Sequence, residues 1–505
     1  MSKQYFMGID IGTYESKGII SDSKGTVIAS HACPHIMESP APGYAEHDAL
    51  KTWWSDFCVI SNSLIEKSKI KPTDIKAVGC STIAPCCLPV DKDCNPLRKA
   101  ILYGVDVRAD QEIHFLENHY GKDKIFEKCG TPLTSQSVGA KILWLKNHEP
   151  DIYKEAYKFV TGSTFLVARL TGNYVIDRYT AATWVPMYDM KKNDWDVETL
   201  DLFCKPEQLA ECRWSNEVAG HITKKAAKET GLAENTPVST GTADASAEAL
   251  SVGVYEPGDM MLMYGSSVFI IHVVEKFTVD KRLWAGPFLF PGTYSVAAGM
   301  STTGTLTRWF RDNLAKDLLS VQEKTGVNAY NLLADEAKDI PPGSDGLIVL
   351  PYFSGERTPI NDPKARGIIF GLNLLHSRAH IYNACLEGVG YGIAQHFEIF
   401  DEKGMGTKKV MAVGGGIKNE KWPQIVSDIS GKTQHIAEES IGAAYGDSLL
   451  AALSIGFYKD MKDVFKRIKM KKTILADVNK TTQYTFYMKK YTELYQLTKE
   501  IMHEL

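Results

Sequence analysis

The sequence predicts an α/β protein with two domains, and three features support this prediction. The chain has 505 residues, more than a single hydrophobic core usually serves. Strand-like runs such as IKAVGCSTIA and GLIVLPYF alternate with amphipathic stretches such as SVGAKILWLKNHEPDIYKEA, a pattern typical of mixed sheets with helices on their faces. Two hairpin-like segments, YFMGIDIGTYESKGIISDSKGTVIAS and GVYEPGDMMLMYGSSVFIIHVV, each open one half of the chain.

The boundary between the domains is predicted near Ser251 to Gly258, where turn residues precede the second hairpin. This divides the chain into residues 1–252 and 253–505. No low-complexity linker marks the join, so we expect the domains to pack closely around a cleft. The lysine-rich stretch KDMKDVFKRIKMKKTILAD is interpreted as a solvated helix face and a connection.

Composition excludes several classes of protein. The formal net charge of -4 argues against nucleic acid as a partner. No apolar stretch approaches the roughly 20 residues of a spanning helix, and the start MSKQYFMGID lacks a signal-peptide pattern. We therefore expect a cytoplasmic protein without a membrane partner. Ten cysteines without a repeating framework indicate reduced thiols, although zinc binding by Cys80, Cys86, Cys87 and Cys94 stays open as an alternative.

The first candidate motif is Gly8–Lys17, GIDIGTYESK. Its glycines let backbone amides approach an anion, its hydroxyls and Lys17 suit phosphate, and Asp10 can hold Mg²⁺ directly or through water. The alternative is a tight β-turn in which Gly12 supplies the conformation and Asp10 satisfies turn amides. A Walker loop is excluded because its GK[ST] ending is absent.

Two further glycine-rich segments also offer backbone groups that a phosphate or a nucleoside can approach closely. Tyr264–Ser267, YGSS, is a second Gly-hydroxyl turn that suits phosphate, and the alternative is an ordinary hairpin turn. Val413–Asn419, VGGGIKN, closes a strand-like run before a helical stretch, and its bare backbone suits a nucleoside. The alternative here is a strand-to-helix turn that needs positive φ.

An acidic residue, Asp244, follows the small-residue turn of TGTADASAE just before a helix. A carboxylate there could accept a hydroxyl proton during phosphoryl transfer. The alternative interpretation is an N-cap aspartate.

These segments, in this order, resemble the FGGY carbohydrate kinases of the actin-like ATPase superfamily over nearly the whole chain. Two stretches resemble signature patterns of that family: Ser137–His148, which departs at Val138, and Gly367–Gly388, which departs at Cys385. The resemblance implies two actin-like (ribonuclease H-like) domains, each a mixed central sheet flanked by helices, with ATP in the cleft between them.

The resemblance also implies roles for individual residues. Asp244 would be the catalytic base beside the sugar, and Asp10 would lie near Mg²⁺ and the phosphates. The residues implied to contact ATP are Gly12, Thr13, Ser16, Lys17, Gly265, Ser266, Gly304, Gly415, Gly416 and Asn419. A homodimer is implied as well, without any particular interface residue.

Within the family, Pro351–Leu372 most resembles xylulokinases, which phosphorylate a five-carbon ketose. The predicted sugar loops depart from that pattern, because Ala84 and Pro85 stand where xylulokinases usually carry Met-His. Asp106 and Arg108 keep the expected types, and their alternative is an exposed loop ion pair. D-Xylulose is the expected acceptor, while ribulose, glycerol, erythritol and gluconate stay open.

Two rival functions stay open at this stage. One is a non-catalytic ATP-dependent binding switch, and the other is an actin-like ATPase that uses water as acceptor. Dependence of ATP consumption on added sugar separates both rivals from a sugar kinase.

Overall fold

A computed structural model of the protein describes residues 4–438, 442–466 and 468–505. The chain forms two compact units, and neither is a continuous stretch. The first contains residues 1–255, 275–295 and 440–468, and the second contains residues 256–274, 296–439 and 469–505. Both units combine mixed sheets with helices, which confirms the predicted α/β class.

In chain order the strands are β1 (Tyr5–Ile11), β2 (Glu15–Asp22), β3 (Val27–Pro34), β4 (Glu46–His47), β5 (Ile75–Thr82), β6 (Leu88–Val90), β7 (Ala100–Ile101), β8 (Lys158–Val160), β9 (Val175–Asp177), β10 (Tyr188–Asp189), β11 (Asp194–Trp195), β12 (Glu211–Arg213), β13 (Val218–His221), β14 (Pro237–Ser239), β15 (Thr242–Ala243), β16 (Asp259–Tyr264), β17 (Val268–Val274), β18 (Trp284–Pro287), β19 (Tyr294–Met300), β20 (Ile348–Leu350), β21 (Ile368–Phe370), β22 (Lys409–Val413), β23 (Gln434–Ala437) and β24 (Met470–Ile474).

The α-helices are α1 (Ser55–Ser68), α2 (Asp110–Tyr120), α3 (Lys122–Cys129), α4 (Val138–His148), α5 (Pro150–Glu155), α6 (Gly162–Thr171), α7 (Arg178–Ala181), α8 (Lys224–Thr230), α9 (Asp244–Ser251), α10 (Gly304–Leu314), α11 (Lys316–Thr325), α12 (Ala329–Glu336), α13 (Arg378–Glu402), α14 (Lys421–Ser430), α15 (Ala443–Ser454), α16 (Met461–Phe465) and α17 (Val478–Glu504). Short 3-10 or π-helical turns lie at Ala49–Trp54, Pro72–Asp74, Leu200–Leu202, Pro206–Gln208, Ser344–Gly346 and Gly415–Lys418.

The central sheet of the first unit begins with the predicted hairpin. β1 and β2 pair antiparallel and β3 continues the meander, which confirms that no helix intervenes. The strand order is β13-β14-β5-β1-β2-β3, with β15 also paired to β5. β1 and β5 run parallel, so their carboxyl ends lie side by side. This edge is where the candidate site of the first unit is built.

Helix α15 packs directly against β1 and β5, although it is far away in the sequence. The approach depends on two glycines. A Cβ atom on Gly8 would lie 2.0 Å from the carbonyl oxygen of Ala444, and one on Gly79 would lie 2.2 Å from that of Asp447. Because real Cβ atoms do not come this close to backbone, side chains at either glycine would push α15 off the sheet.

The second unit also opens with a hairpin, β16 and β17, as predicted. Its strands lie in the order β19-β17-β16-β22-β23-β24. β22 pairs parallel with β16 and ends at Val413, and α14 begins at Lys421, so the glycine-rich segment joins a strand to a helix as expected. The lysine-rich stretch near the carboxyl end is the short helix α16 followed by the edge strand β24, and that strand was not predicted. Lysines are common on edge strands because they discourage further pairing.

The stretch SVGAKILWLKNHEPDIYKEA forms two helices rather than one, and the second begins at Pro150, where proline is well tolerated. The amphipathic interpretation is wrong for α4, whose residues 138–145 are all buried. Its Lys141 donates to the carbonyl oxygens of Leu102 and Tyr103, and burial lowers the pKa of this lysine to about 8. The backbone acceptors explain how a lysine is tolerated on a buried helix face.

All ten cysteines are free thiols. Across residues 4–438, 442–466 and 468–505, no three His, Cys, Asp or Glu side chains converge to hold a metal ion, so the zinc alternative for the cysteines gains no support. Within the same residues, none of the helices has both the length and the hydrophobicity needed to cross a bilayer.

Candidate active site

The first unit contains a cluster of acidic side chains at the ends of β1 and β5, in which Asp447 is fully buried and Asp10 is partly buried. Asp10 lies near the end of β1, Ser81 lies beside it on β5, and α15 brings in Asp447. The Ser81 hydroxyl is 3.0 Å from Asp10 Oδ1 and 2.7 Å from Asp447 Oδ2. A serine has only one proton, so it can donate to only one of these carboxylates at a time.

Desolvation dominates the electrostatics of this cluster. Burial, and then the charge of Asp244, raise the pKa of Asp10 well above its ordinary value. Burial, and then Asp10, do the same to the pKa of Asp447. Burial raises the pKa of Asp244 to about 6, while burial and the charge of Asp244 raise the pKa of Glu248 to about 7. Four carboxyl groups therefore share one poorly hydrated region, the arrangement in which perturbed pKa values often mark function.

Asp244 is the first residue of α9, and the N-cap is Ala243, so the N-cap interpretation of Asp244 is not confirmed. Its Oδ1 accepts the backbone N–H of Ala245 at 2.8 Å. Glu248 follows one helical turn later, on the same face of α9. The charge of Asp244 also raises the pKa of Tyr103, after the larger effect of burial. Asp244 therefore lies close to an aromatic hydroxyl as well as to other carboxylates.

The turn between β1 and β2 is tight, because the N–H of Gly12 donates to the carbonyl oxygen of Glu15 at 3.1 Å. The Thr13 hydroxyl lies 3.1 Å from the hydroxyl of Tyr103, which joins this turn to the surroundings of Asp244. Lys17 is half exposed and pairs with Glu15 at 2.8 Å. The turn thus keeps Thr13 and Lys17 within reach of solvent.

The hydroxyl of Ser16 does not reach solvent as Thr13 and Lys17 do, which corrects the expectation that this hydroxyl contacts phosphate. Ser16 is fully buried, and its hydroxyl donates to Asp56 Oδ2 at 2.7 Å. The reason is the two-residue period of a strand: Glu15 and Lys17 are exposed, so the residue between them faces inward.

Most of the residues predicted to contact the sugar are buried in the first unit. A cis peptide bond joins Ala84 to Pro85. Asp106 and Arg108 are buried, so the alternative of an exposed loop ion pair is wrong. Arg108 Nη2 lies 2.7 Å from Asp106 Oδ2, and Asp106 also accepts the N–H of Ala45 at 2.7 Å. Their direct role in sugar binding stays a prediction, since much of their hydrogen-bonding capacity is used within the protein.

Sequence reasoning missed four groups of this site: Ser81, Tyr103, Glu248 and Asp447. Glu248 could have been found, because a carboxylate four residues after Asp244 must share its helix face. Asp447 could not have been found, because the contact to Ser81 spans 366 residues and only the packing of α15 creates it.

In the second unit, the structure brings Gly265, Ser266 and Gly304 together. The N–H groups at the start of α10 bind the carbonyl oxygens of the hairpin turn: Gly304 N to Gly265 O at 3.1 Å, and Thr305 N to Ser266 O at 3.0 Å. A Cβ atom on Gly304 would lie 2.4 Å from Gly265 O. Glycine is therefore required at 304 for this contact between turn and helix.

The third glycine segment lies against the same strand end. Gly414 has φ 91°, as expected for a strand-to-helix turn, and a Cβ atom there would lie 2.7 Å from the carbonyl oxygen of Tyr264. Gly415 faces open space, whereas Gly416 packs beside Tyr264. The side-chain amide of Asn419 donates to the hydroxyl of Tyr382 at 3.0 Å. The two predicted nucleotide motifs of the second unit therefore meet at Tyr264.

Comparison with known proteins agrees with this geometry. Residues 5–251 match the profile of the N-terminal domain of the FGGY family of carbohydrate kinases, and residues 260–455 match that of its C-terminal domain. The chain is similar to xylulose kinase of Escherichia coli (strain K12), with 27% identity over 503 residues that cover 98% of this chain and 100% of that one. It is also similar to gluconokinase of Bacillus subtilis (strain 168), with 27% identity over 458 residues that cover 90% of this chain and 87% of that one.

Solved structures show the same fold. The crystal structure of xylulose kinase from Rhodospirillum rubrum is similar with a TM-score of 0.91 and 27% identity, covering 99% of this chain and 100% of that one. Gluconate kinase from Lactobacillus acidophilus has a TM-score of 0.89 at 24% identity, covering 98% of both chains, and this likeness concerns the fold alone. The chain belongs to the FGGY family of carbohydrate kinases and is a sugar kinase.

Proposed function

We propose that this kinase transfers the γ-phosphoryl group of Mg-ATP to a hydroxyl of D-xylulose, giving D-xylulose 5-phosphate, with Asp244 as the catalytic base. The observation that carries the proposal is the environment of Asp244, a partly buried carboxyl group at the start of α9 that lies among other carboxyl groups and whose pKa desolvation raises to about 6. Such a group is still ionised at neutral pH but holds a proton more readily than an exposed aspartate, which suits a general base.

In the proposed reaction the sugar hydroxyl oxygen forms a bond to the γ-phosphorus. The bond from that phosphorus to the bridging oxygen breaks, and ADP leaves with the electron pair. The hydroxyl proton passes to the carboxylate of Asp244. Because Asp244 begins α9 and is held by the N–H of Ala245, its carboxylate direction is fixed before the sugar arrives, which lowers the cost of alignment.

The donor set in the first unit fits Mg²⁺. The cluster offers carboxylate and hydroxyl oxygens, and Asp447 Oδ1 is buried without a hydrogen-bond partner among the described residues. Mg²⁺ is commonly held by one or two carboxylates together with phosphate oxygens and water, so Asp10 would hold it, directly or through water. When bound, the ion supplies positive charge to the phosphates and to this crowded acidic region.

The remaining proposed contacts to ATP come from the three glycine-rich segments and from Gly304. Gly12, Thr13 and Lys17 are proposed for the phosphates in the first unit, without Ser16. In the second unit we propose Gly265, Ser266 and Gly304 for the phosphates, and Gly415, Gly416 and Asn419 for the nucleoside. The open space beside Gly415 and the hydrogen bonds that order the turn at Gly265 support this division.

D-Xylulose is the first choice of acceptor because the xylulose kinases of E. coli and R. rubrum resemble this chain along almost its whole length. Gluconate is the leading alternative, since the B. subtilis gluconokinase is similar at the same identity. Ala84 and Pro85 also lack the hydrogen-bonding groups of the Met-His pair, so the pocket can favour a different hydroxyl pattern. We place the reaction in the cytoplasm, and the homodimer stays a prediction.

The test is a coupled ADP-release assay with Mg-ATP and a panel of acceptors. The panel contains D-xylulose, L- and D-ribulose, glycerol, erythritol, gluconate and water alone. The proposal expects the highest kcat/KM with D-xylulose. Preference for gluconate or a polyol would overturn the acceptor but keep the kinase. Equal ATP consumption with and without acceptors would instead favour the water-dependent ATPase, and no consumption with retained ATP binding would favour the binding switch.

A further inference from the structure

Two histidine side chains form hydrogen bonds with the backbone of the turn between β1 and β2. His35 Nε2 lies 3.0 Å from the carbonyl oxygen of Gly12, and His47 Nε2 lies 3.2 Å from that of Thr13. The backbone N–H of His35 also donates to the carbonyl oxygen of Tyr14 at 2.9 Å. Three successive carbonyl groups of the turn thus have hydrogen-bond partners, two of them imidazole rings and the third the backbone N–H of His35.

This arrangement fixes the direction of the amides in the turn. In a planar trans peptide the C=O and the following N–H point in opposite directions. Each of the N–H groups of Thr13, Tyr14 and Glu15 therefore points away from the histidine group that binds the preceding carbonyl oxygen. Successive N–H groups directed to one side form an anion-binding concavity.

The protonation state of His47 follows from its partners. The indole N–H of Trp53 can only donate, and it lies 3.0 Å from His47 Nδ1. Nδ1 must therefore accept, which leaves the proton on Nε2 for donation to Thr13. Burial, and then the neighbouring His35, lower the pKa of His47 to about 4, in agreement with a neutral ring.

His35 is oriented by a different set of partners. Its Nδ1 lies 2.9 Å from Asp56 Oδ2, the same oxygen that accepts the Ser16 hydroxyl at 2.7 Å. The side chains of His35 and Asp56 are 8% and 13% exposed, so solvent hardly competes for these bonds. The two imidazole rings lie edge to face, with centroids 5.2 Å apart. Asp56 and Ser16 therefore direct His35 Nε2 toward Gly12.

We infer that His35 and His47 are positioning residues that hold the carbonyl groups of Gly12 and Thr13, so that the N–H groups of this turn face the phosphates of ATP. The inference rests on the proposed nucleotide role of the turn. It also assigns Ser16 an indirect role, since its hydroxyl helps to orient Asp56 rather than contacting phosphate.

The test compares His47→Ala with His47→Gln in the full chain. The glutamine keeps an N–H donor for Thr13, whereas alanine removes it. We expect His47→Ala to raise the KM for Mg-ATP and the Kd for Mg-ADP by about 3- to 10-fold, the effect of one lost hydrogen bond. The KM for the acceptor should stay within about twofold, and His47→Gln should recover at least half of the loss in Mg-ADP affinity.

Two further variants keep the inference falsifiable if His47→Ala folds poorly. Asp56→Asn keeps the size of the side chain but weakens its bond to His35, and it should raise the Kd for Mg-ADP about threefold. The matched control is His31→Ala, because His31 lies on β3 and contacts Lys67 rather than the turn. Its Kd for Mg-ADP should equal that of the wild type.

The outcomes separate the inference from the proposed function. Unchanged Mg-ADP affinity in His47→Ala and Asp56→Asn would overturn the inference, as would a loss of active protein without a change in KM. Failure of the wild type to bind Mg-ADP would overturn it too. By contrast, wild-type ATP consumption that does not depend on sugar would overturn the proposed function, while the Mg-ADP titrations would still decide the role of the histidines.

Discussion

The two hairpins that open the two units look alike in sequence but are supported in different ways. Each consists of two antiparallel strands joined by a turn with glycine and hydroxyl residues. The carbonyl groups of the first turn are bound largely by side chains, His35 and His47. Those of the second turn are bound by backbone N–H groups at the start of α10.

The two hairpins also differ in charge. The first lies beside the carboxyl cluster of Asp10, Asp244, Glu248 and Asp447, whose pKa values are all raised. Beside the second, the guanidinium of Arg357 donates to the carbonyl oxygen of Val268 at 3.1 Å, at the start of β17. The two turns that are proposed to hold phosphate therefore differ in their surroundings, and the proposed acid–base chemistry belongs to the first unit.

The largest expected effect comes from the proposed base in the first unit, Asp244. Asp244→Asn should lower kcat by about 10²- to 10⁴-fold, because the amide cannot accept the hydroxyl proton as a carboxylate does. The Kd for Mg-ADP should stay within about threefold, and steady-state kinetics with calorimetric titration measure both values. Ser266→Ala in the second unit should cost no more than about tenfold in kcat/KM, the worth of one hydrogen bond. Comparable losses in kcat from the two variants would contradict the assignment of chemistry to one unit.

A smaller effect is expected from the backbone support of the second hairpin. Gly304→Ala places a Cβ atom 2.4 Å from Gly265 O, and overpacking of this kind costs about 1–3 kcal/mol. We expect the KM for Mg-ATP to rise about tenfold, with kcat changed less. Gly286→Ala is the control, since its Cβ atom would meet Met190 at an ordinary 3.7 Å. If Gly304→Ala binds Mg-ATP normally, the turn does not need its contact with α10.

The smallest effect concerns stability and pH. The folded-state pKa of Glu248 is raised from 4.5 to about 7, so its contribution to stability is present below pH 4.5 and is lost as the pH rises through 7. Glu248→Gln should therefore raise the Tm at pH 8 by about 1–3 °C and change it little at pH 5. Glu66→Gln on the exposed side of α1 should behave like the wild type at both pH values. A larger gain at pH 5 than at pH 8 would show that the sign is wrong.

A feature of this protein could be predicted from the sequence when residues close together in the chain determine it. Both hairpins and the glycine junction at Val413 were predicted, because turn chemistry and strand alternation are local. The inward direction of Ser16 was also encoded locally, because the charged residues on either side of it, Glu15 and Lys17, are exposed. The phosphate-loop motif predicted the opposite direction for the Ser16 hydroxyl.

Other features were not accessible in this way. Burial of Asp106 and Arg108 depends on the aromatic rings of Tyr44 and Trp144, whose centroids lie 4.0 and 5.0 Å from the guanidinium carbon. The carboxyl cluster depends on α15 reaching β1 and β5. Such contacts join segments that share no local pattern, so only the folded chain reveals them.

The packing of α15 also has a consequence for synthesis of the protein. The ribosome makes β5 long before α15, because Ser81 and Asp447 are 366 residues apart. At roughly 5–20 residues per second, the delay is about 20–70 s. During that time the face of β1 and β5 that α15 covers in the folded protein has no helix against it. A fragment that stops at residue 252 would stay in that state, because the helix that completes its first unit is never made.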